Sequence, residues 1–215
     1  DQYGVLVDDL ALLDGRVVGL PNGEEPTLAA LTVEPLEATV VHQHAPTLPL
    51  DDRGQGDAHV SFAVSAHRAI VDVDPDLGLV KVVELTTAQD VGRILNPLQA
   101  LGQLEGGAAQ GVGLAVMEEV KVVDGLIRNP SFTDYLIPTA LDMPPLEVAA
   151  LIEQPEPGAP FGAKGIGEAP TISSTPAVAG AIRAATGLDL PRVPVRPDDI
   201  ALASRESGLS SEEAQ

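Results

Sequence analysis

The stretch Gly162-Ala163-Lys164-Gly165-Ile166-Gly167-Glu168-Ala169-Pro170 places three glycines within six positions and follows the last of them with a carboxylate. Glycine tolerates positive φ and lets a ligand approach the main chain closely. An apolar, strand-like run at 148–152 precedes the stretch. After it, Thr175 as N-cap, Pro176 at the first helical position and Gly187 at the end predict a short helix. A glycine loop beside a helix N-terminus is suited to an anionic ligand.

Three residues of this loop are candidates for a binding or catalytic role. Gly165 and Gly167 leave the main chain open to a ligand, and Glu168 is placed to act as an acid or base beside it. Ordinary loops also contain a Gly-x-Gly turn with one glutamate, so the spacing alone leaves both interpretations open.

The composition excludes several classes of function. The 215 residues carry a formal charge of −20, which argues against binding to nucleic acid or to an anionic membrane, because both require a basic surface. The chain has no cysteine, so it holds no disulfide, no cysteine-ligated zinc and no iron–sulfur cluster of its own. His42 and His44 have strand spacing but no evident carboxylate partner, and we assign no metal ligand.

The hydropathy pattern bears on location. No apolar run approaches the roughly 18 residues that a membrane helix requires. The first residues show no basic-then-apolar signal pattern. We therefore expect a cytoplasmic protein without a membrane contact.

Turn and strand signals predict a long β-hairpin. Residues 60–74 alternate as a strand, the Asp-Pro-Asp-Leu-Gly sequence at 74–78 supplies a turn, and residues 79–87 form the return strand. A second, shorter hairpin is predicted around Asp124-Gly125. Other expected elements are a strand at 16–20, one or two helical turns at 27–31, a loop at 40–57 and a helical turn starting at Pro197.

The longest predicted helix begins with Asn96 as N-cap and Pro97 at its first position. Interior glycines each destabilise a helix by about 1 kcal/mol relative to alanine, so a neighbouring backbone or a ligand must come close to this one. Gln110 lies among the glycines, and we expect a buried amide that bonds either a ligand or nearby backbone. The apolar positions at helical spacing are Leu98, Leu101, Leu104, Ala108, Val112, Ala115 and Val116, and the glycines are Gly102, Gly106, Gly107, Gly111 and Gly113.

Three segments together resemble the xanthine dehydrogenase and aldehyde oxidase family of molybdenum hydroxylases. Residues 162–170, with the Thr-Ile-Ser-Ser-Thr-Pro-Ala-Val-Ala-Gly-Ala-Ile sequence after them, resemble the C-terminal signature of that family. Residues 90–97 (Asp-Val-Gly-Arg-Ile-Leu-Asn-Pro) and 105–113 (Glu-Gly-Gly-Ala-Ala-Gln-Gly-Val-Gly) resemble its Asp-x-Gly-Arg and Gln-Gly segment. Residues 131–144 are similar to its Tyr-x-Ile-Pro-Thr segment. The resemblance is greatest to the molybdenum subunit of bacterial xanthine dehydrogenases.

The resemblance implies roles for individual residues. Glu168 occupies the position of the family's active-site general base, and Gln110 that of a hydrogen-bonding ligand of molybdopterin. The implied cofactor is a molybdopterin-type molybdenum cofactor, as such or in its cytosine dinucleotide form. The implied reaction is hydroxylation of a purine-like heterocycle, xanthine to urate, with water as the oxygen source. Electrons would pass to Fe-S and FAD centres on other subunits.

These features predict an α+β fold in which a mixed sheet of β-hairpins is covered by helices, as the second half of a molybdenum cofactor-binding domain. We expect residues 1–203 to form this domain, with its upstream half missing, and residues 204–215 to be a polar tail. The expected partners are the upstream part of the molybdenum subunit, a 2Fe-2S subunit, an FAD subunit and a small-molecule substrate, so the chain alone should be inactive. An aldehyde, carbon monoxide or nicotinate-type dehydrogenase is one alternative, and a non-catalytic structural fragment is another.

Overall fold

The computed structural model describes residues 5–32, 34–35 and 37–209. The chain divides into two compact units, residues 1–43 and 44–215, and the candidate site lies in the second.

The first unit contains a small antiparallel hairpin and one helical turn. Strands β1 (Ala11–Leu13) and β2 (Arg16–Val18) pair with each other. Helix α1 (Leu28–Leu31) follows, and the Thr27 hydroxyl accepts a hydrogen bond from the Ala30 amide as its N-cap. The strand and the helical turn expected here are confirmed.

The second unit holds the main sheet and the long helices. Its elements in chain order are strands β3 (Ser65–Asp74) and β4 (Leu79–Asp90), helix α2 (Pro97–Val116), strands β5 (Val122–Val123), β6 (Leu126–Ile127) and β7 (Leu146–Ile152), and helices α3 (Ala169–Thr186) and α4 (Pro197–Ser207). The sheet has the order β3-β4-β7, with an antiparallel β3/β4 pair and a parallel β4/β7 pair. The predicted α+β fold with a mixed sheet and covering helices is therefore confirmed.

The predicted β3/β4 hairpin forms as the turn sequence indicates. The Asp74 carboxylate accepts the amides of Asp76 and Leu77, and Gly78 takes a φ of 68°. The first strand begins at Ser65 and not at Val60, so the prediction was five residues too long at that end.

Helix α2 begins where the sequence places it. The Asn96 side chain accepts the amide of Gln99, and Pro97 occupies the first turn. Leu98, which we expected on the apolar face, is instead 80% exposed. The cause is that the first turns of α2 extend beyond the core, and the first buried residue of the helix is Leu104.

The core lies between the sheet and helices α2, α3 and α4. Its buried members come from β4, from the three helices and from the connection between α3 and α4, and they are Val82, Leu85, Ala108, Val112, Ala115, Val178, Ile182, Leu190, Val195 and Ile200. Aliphatic side chains and alanine supply this whole set, as the scarcity of aromatic residues in the sequence requires.

Helix α3 starts earlier than the sequence suggested. It begins at Ala169, with Glu168 at the N-cap position, so Thr175 and Pro176 lie within it. Pro170 fits the first turn of a helix as well as Pro176 does. The Thr175 hydroxyl does not cap the helix but donates to backbone carbonyls. The helix ends at Gly187 as predicted.

The C-terminal helix extends into the predicted polar tail. Helix α4 begins at Pro197 as expected but continues to Ser207, and Ser204 is 1% exposed. Ser204 therefore belongs to the folded unit, and residues 210–215 lie outside the described residues.

Two glycines explain how closely α2 and α3 approach. A Cβ on Gly107 would lie 2.7 Å from the Pro170 Cβ, and one on Gly111 would overlap the buried Ser174 side chain. The close approach of a neighbouring backbone, expected from the sequence, is confirmed at these positions. At Gly102 and Gly106, by contrast, no described atom lies within 4 Å of such a Cβ.

Gly111→Ala should destabilise the chain. The new methyl group would overlap Ser174 and lie 3.1 Å from the Thr175 amide nitrogen. Overpacking of this kind costs about 1–3 kcal/mol, which we expect to exceed the helix-propensity gain of about 1 kcal/mol. Gly106→Ala is the matched control and should stabilise the chain by roughly 0.5–1 kcal/mol. Urea unfolding followed by circular dichroism measures both, and equal effects would contradict the close contact.

Candidate functional site

Glu168 lies at the junction between the glycine loop and α3. Its backbone carbonyl accepts the amides of Thr171 and Ile172 at 3.1 and 3.3 Å, which fixes the main chain there. Its side chain is exposed and makes no capping bond to the helix. The main chain at Glu168 is therefore fixed, while its carboxylate is free to meet a ligand.

Gln110 lies on α2 beside the start of α3. The expectation that its amide is buried is wrong, because Gln110 faces outward on the same edge of α2 as the exposed Gly106. Its Oε1 accepts a hydrogen bond of 3.2 Å from the Thr171 hydroxyl. The Thr171 amide also donates to the Glu168 carbonyl, so both predicted residues are hydrogen-bonded to the same threonine.

The two glycines of the loop have different surroundings. Gly165 is exposed, and no described atom lies within 4 Å of a Cβ built on it. Gly167 is exposed too, but its Cβ would lie 3.2 Å from the Gln103 side chain on α2. Neither residue has a positive φ, which within this loop falls on Phe161 and Gly162. Gly165 therefore leaves open space beside the backbone, whereas the space beside Gly167 is occupied by Gln103.

A buried ion pair ties the glycine loop to the end of β4. Lys164 Nζ lies 2.6 Å from Asp90 Oδ2, and the two side chains are only 8% and 12% exposed. The other carboxylate oxygen of Asp90 accepts the Gly92 amide at 3.0 Å. Two backbone bonds add to this link, from Lys164 to the Val91 carbonyl and from Arg93 to the Gly162 carbonyl. The loop is therefore anchored on its N-terminal side.

The Asp90 carboxyl remains ionised although it is largely buried. Burial alone would raise the pKa of Asp90, but the hydrogen bonds from Lys164 and from the Gly92 amide, together with the lysine's charge, outweigh it. The pKa of Asp90 consequently lies below its usual value. Sequence reasoning had placed Asp90 and Lys164 in separate motifs and missed the pair, although a lone lysine in the glycine loop of so acidic a chain was an available signal.

The N-terminal half of α3 also rests on polar groups of the sheet. The Ser173 hydroxyl bonds the ring of His67 at 2.7 Å and the hydroxyl of Ser65 at 2.6 Å. Burial lowers the pKa of His67, which favours the neutral ring. These contacts, which the sequence did not reveal, fix the helix that carries Glu168 against β3.

A recess of about 580 Å³ opens beside the glycine loop. It lies between the segment that follows β4, the first turns of α2 and the loop itself. Its polar lining residues are Arg93, Asn96, Gln99, Gln103 and Lys164, and Gly102 and Ile166 also contribute.

Known proteins have similar sequences and a similar fold. A family model for the molybdopterin cofactor-binding domain matches residues 1–144. The chain belongs to this family. The predicted membership of the xanthine dehydrogenase and aldehyde oxidase family of molybdenum hydroxylases is thereby confirmed. The matched range includes Gln110, whereas Glu168 lies beyond it.

Individual relatives agree with the family assignment. The chain is 39% identical over 146 residues to the 6-hydroxypseudooxynicotine dehydrogenase complex subunit gamma of Paenarthrobacter nicotinovorans, covering 66% of this chain and 18% of that subunit. It is 34% identical over 199 residues to the xanthine dehydrogenase molybdenum-binding subunit of Escherichia coli O157:H7, covering 88% of this chain and 25% of that subunit. Because it covers so much of the chain, the second alignment includes both Gln110 and Glu168.

A solved structure has the same fold. Quinoline 2-oxidoreductase from Pseudomonas putida 86 matches with a TM-score of 0.67 and 26% identity, over 95% of this chain and 27% of that one. The present chain spans about a quarter or less of the length of the curated relatives that it matches. In the described part of the chain, no helix has the length and apolar character needed to cross a membrane.

Asp90→Asn should destabilise the fold at neutral pH, because it leaves Lys164 buried without a counter-charge. Breaking a buried pair in this way costs about 3–5 kcal/mol. Since the folded-state pKa of Asp90 is lowered, the stabilisation is fully present above the usual aspartate pKa of about 3.9. It is lost as the pH falls through the lower folded-state value. The difference in unfolding free energy between wild type and variant should therefore shrink below about pH 4.

Urea unfolding at a series of pH values measures this difference. Asp72→Asn, on an exposed position of β3, is the control and should have little effect at any pH. A difference between wild type and Asp90→Asn that persists unchanged in acid would contradict the ion pair's role.

Proposed function

We propose that this chain forms one wall of the cofactor site of a molybdenum-dependent hydroxylase. In this proposal Glu168 is the general base, and Gln110, Gly165 and Gly167 contact the molybdopterin. The observation that carries it is the convergence of Glu168 and Gln110 through Thr171 beside an open, glycine-lined surface.

The residues present fit such a cofactor. Packing against α3 explains Gly107 and Gly111, but Gly102 and Gly106 lie on the outer edge of α2 with open space above them. A glycine there destabilises the helix by about 1 kcal/mol relative to alanine, and room for a ligand is a reason to keep it. The exposed Gln110 amide and the glycine loop at the N-terminus of α3 suit a ligand with polar ring groups and phosphate.

Glu168 supplies the acid–base function of the proposed site. The bound molybdenum cofactor would supply the two-electron redox chemistry and activate oxygen derived from water. Glu168 would accept a proton at its carboxylate while that oxygen is transferred to an electron-poor carbon. The N-cap position on α3 fixes the main chain that carries this carboxylate, and Gln110 would orient the cofactor. Covering of the exposed wall by the rest of the subunit would exclude bulk water.

The substrate class is proposed from the relatives. A purine-like heterocycle, with xanthine converted to urate, is supported by the xanthine dehydrogenase subunit that aligns over 88% of the chain. A different heterocyclic or carbonyl substrate is the alternative, since other relatives are named for 6-hydroxypseudooxynicotine, aldehydes and carbon monoxide. These substrates are those of the named relatives, and for the present chain they are proposals.

The complete enzyme would contain further subunits. Electrons would leave through Fe-S and FAD centres on partner subunits, and the upstream part of the molybdenum subunit would complete the cradle. The relatives named as subunit gamma and as a molybdenum-binding subunit support such partners. The cytosine dinucleotide form of the cofactor and a cytoplasmic location also belong to this proposal.

Glu168→Gln in the assembled enzyme should preserve the fold and the molybdenum content, because the amide has the shape of the carboxylate. Turnover should fall by about 10²–10⁴, since an amide cannot accept the proton. Rapid-mixing measurement of reduction by substrate, with molybdenum assayed on the same sample, tests this. Loss of molybdenum in parallel with activity would make Glu168 a structural residue of the loop, and near-normal reduction would remove it from the reaction.

Gln110→Ala in the assembled enzyme should lower cofactor occupancy. A polar group of the cofactor would lose its partner, at a cost of about 1–3 kcal/mol. Molybdenum per subunit after purification and dialysis measures the effect. Full occupancy with normal turnover would show that Gln110 does not touch the cofactor.

A further inference from the structure

Thr171, near the start of α3, contacts both residues proposed for the site. It is one of the first residues of α3, and its amide donates to the Glu168 carbonyl at 3.1 Å. Its hydroxyl crosses to α2, where it lies 3.0 Å from the Gly107 carbonyl and 3.2 Å from Gln110 Oε1. Thr171 therefore contacts the main chain of one proposed site residue and the side chain of the other.

The contact with Gln110 restrains the position of its side chain. The Thr171 hydroxyl lies within hydrogen-bond distance of both the Gly107 carbonyl and the end of the Gln110 side chain. One atom of the Gln110 amide is therefore engaged by α3, and the other is left for a ligand. An exposed glutamine without such a partner would sample several rotamers.

Thr175 provides an internal comparison one turn later on α3. Its hydroxyl donates to the Gly111 carbonyl at 3.1 Å and to the Thr171 carbonyl at 3.1 Å. Thr175 thus makes the same type of interhelical bond to a glycine carbonyl as Thr171 does. Both of these hydroxyl bonds are to backbone carbonyls, so Thr175 shares the packing role of Thr171 without the contact to Gln110.

We propose that Thr171 is a positioning residue, which holds the side chain of Gln110 so that the free atom of its amide faces a polar group of the bound cofactor. This inference rests on the proposed function, because Gln110 is a cofactor contact only there. The group recognised in this way is one that can hydrogen-bond an amide, as a pterin ring or a phosphate can. Orientation in advance stabilises the complex because the glutamine loses less conformational freedom on binding.

The experiment is a double-mutant cycle on the assembled holoenzyme, with molybdenum loss as the readout. Thr171→Val keeps the size of the side chain and removes the hydroxyl, and Thr171→Ser keeps the hydroxyl. The fraction of molybdenum that remains bound during prolonged dialysis gives a dissociation rate for each variant. Thr171→Val should release molybdenum about fivefold faster than wild type, as expected for one hydrogen bond of about 1 kcal/mol, and Thr171→Ser should restore the slow rate.

Two further variants separate positioning from packing. The Thr171→Val, Gln110→Ala double variant should lose molybdenum no faster than Gln110→Ala alone, because Thr171 acts only through Gln110. Thr175→Val is the packing control, and it should lower the thermal unfolding midpoint without accelerating molybdenum loss.

Any of three results would overturn the inference. The first is a Thr171→Val variant that releases molybdenum at the wild-type rate. The second is a double variant in which the effects of the two substitutions on the rate multiply. The third is a Gln110→Ala variant with an unchanged rate. None of these results bears on the reduction of Glu168→Gln by substrate, which tests the proposed function separately. An enzyme in which Glu168→Gln is inactive and Gln110→Ala retains molybdenum would keep its general base and lose the positioning role of Thr171.

Discussion

The close contact between α2 and α3 is the constraint on which the candidate site depends. Gly107 and Gly111 have no Cβ, and Pro170 and Ser174 fill the space that a side chain would occupy. Because the two helices pack so closely, the hydroxyls of Thr171 and Thr175 reach the carbonyls of the same two glycines. Each glycine carbonyl has two lone pairs, so it can accept a threonine hydroxyl in addition to its bond within the helix. Steric fit and polar bonding therefore fix the same register between the helices.

That register determines what the outer edge of the helix pair presents. Gln110 follows Gly106 on the edge of α2, and Glu168 precedes the first turn of α3, so a shift along the interface would separate them. The glycine loop is fixed as well. The Asp90–Lys164 pair anchors its N-terminal part, and its C-terminal end continues into α3. An exposed loop with an accessible carboxylate is in this way kept in one place by contacts that are themselves buried.

The sequence predicts the local features well because their causes are local. The Asn96 cap, the turn at 74–78 and the end of α3 at Gly187 each follow from residues within one turn of the feature. The start of α3 was misplaced because Pro170 and Pro176 both suit a first helical turn. The Asp90–Lys164 pair was missed because its members are 74 residues apart, and no short-range pattern joins them. The family was recognisable from quoted motifs, whereas the roles of Glu168 and Gln110 remain predictions.

The exposure of Gln110 was the least predictable property of the site, and it has a physical explanation. Glycines occur on both sides of α2, so their spacing in the sequence does not predict which side of the helix packs against α3. The side that does has buried glycines, and the other carries Gly102, Gly106 and Gln110 in the open. Apolar side chains elsewhere on these two helices are exposed as well, with Leu98 at 80% and Ile172 at 73%. Such a surface is costly in water, and burial beneath a cofactor and the remainder of a molybdenum subunit would remove that cost. Proton transfer by Glu168 would gain from the same covering, since electrostatic interactions strengthen when bulk water is excluded.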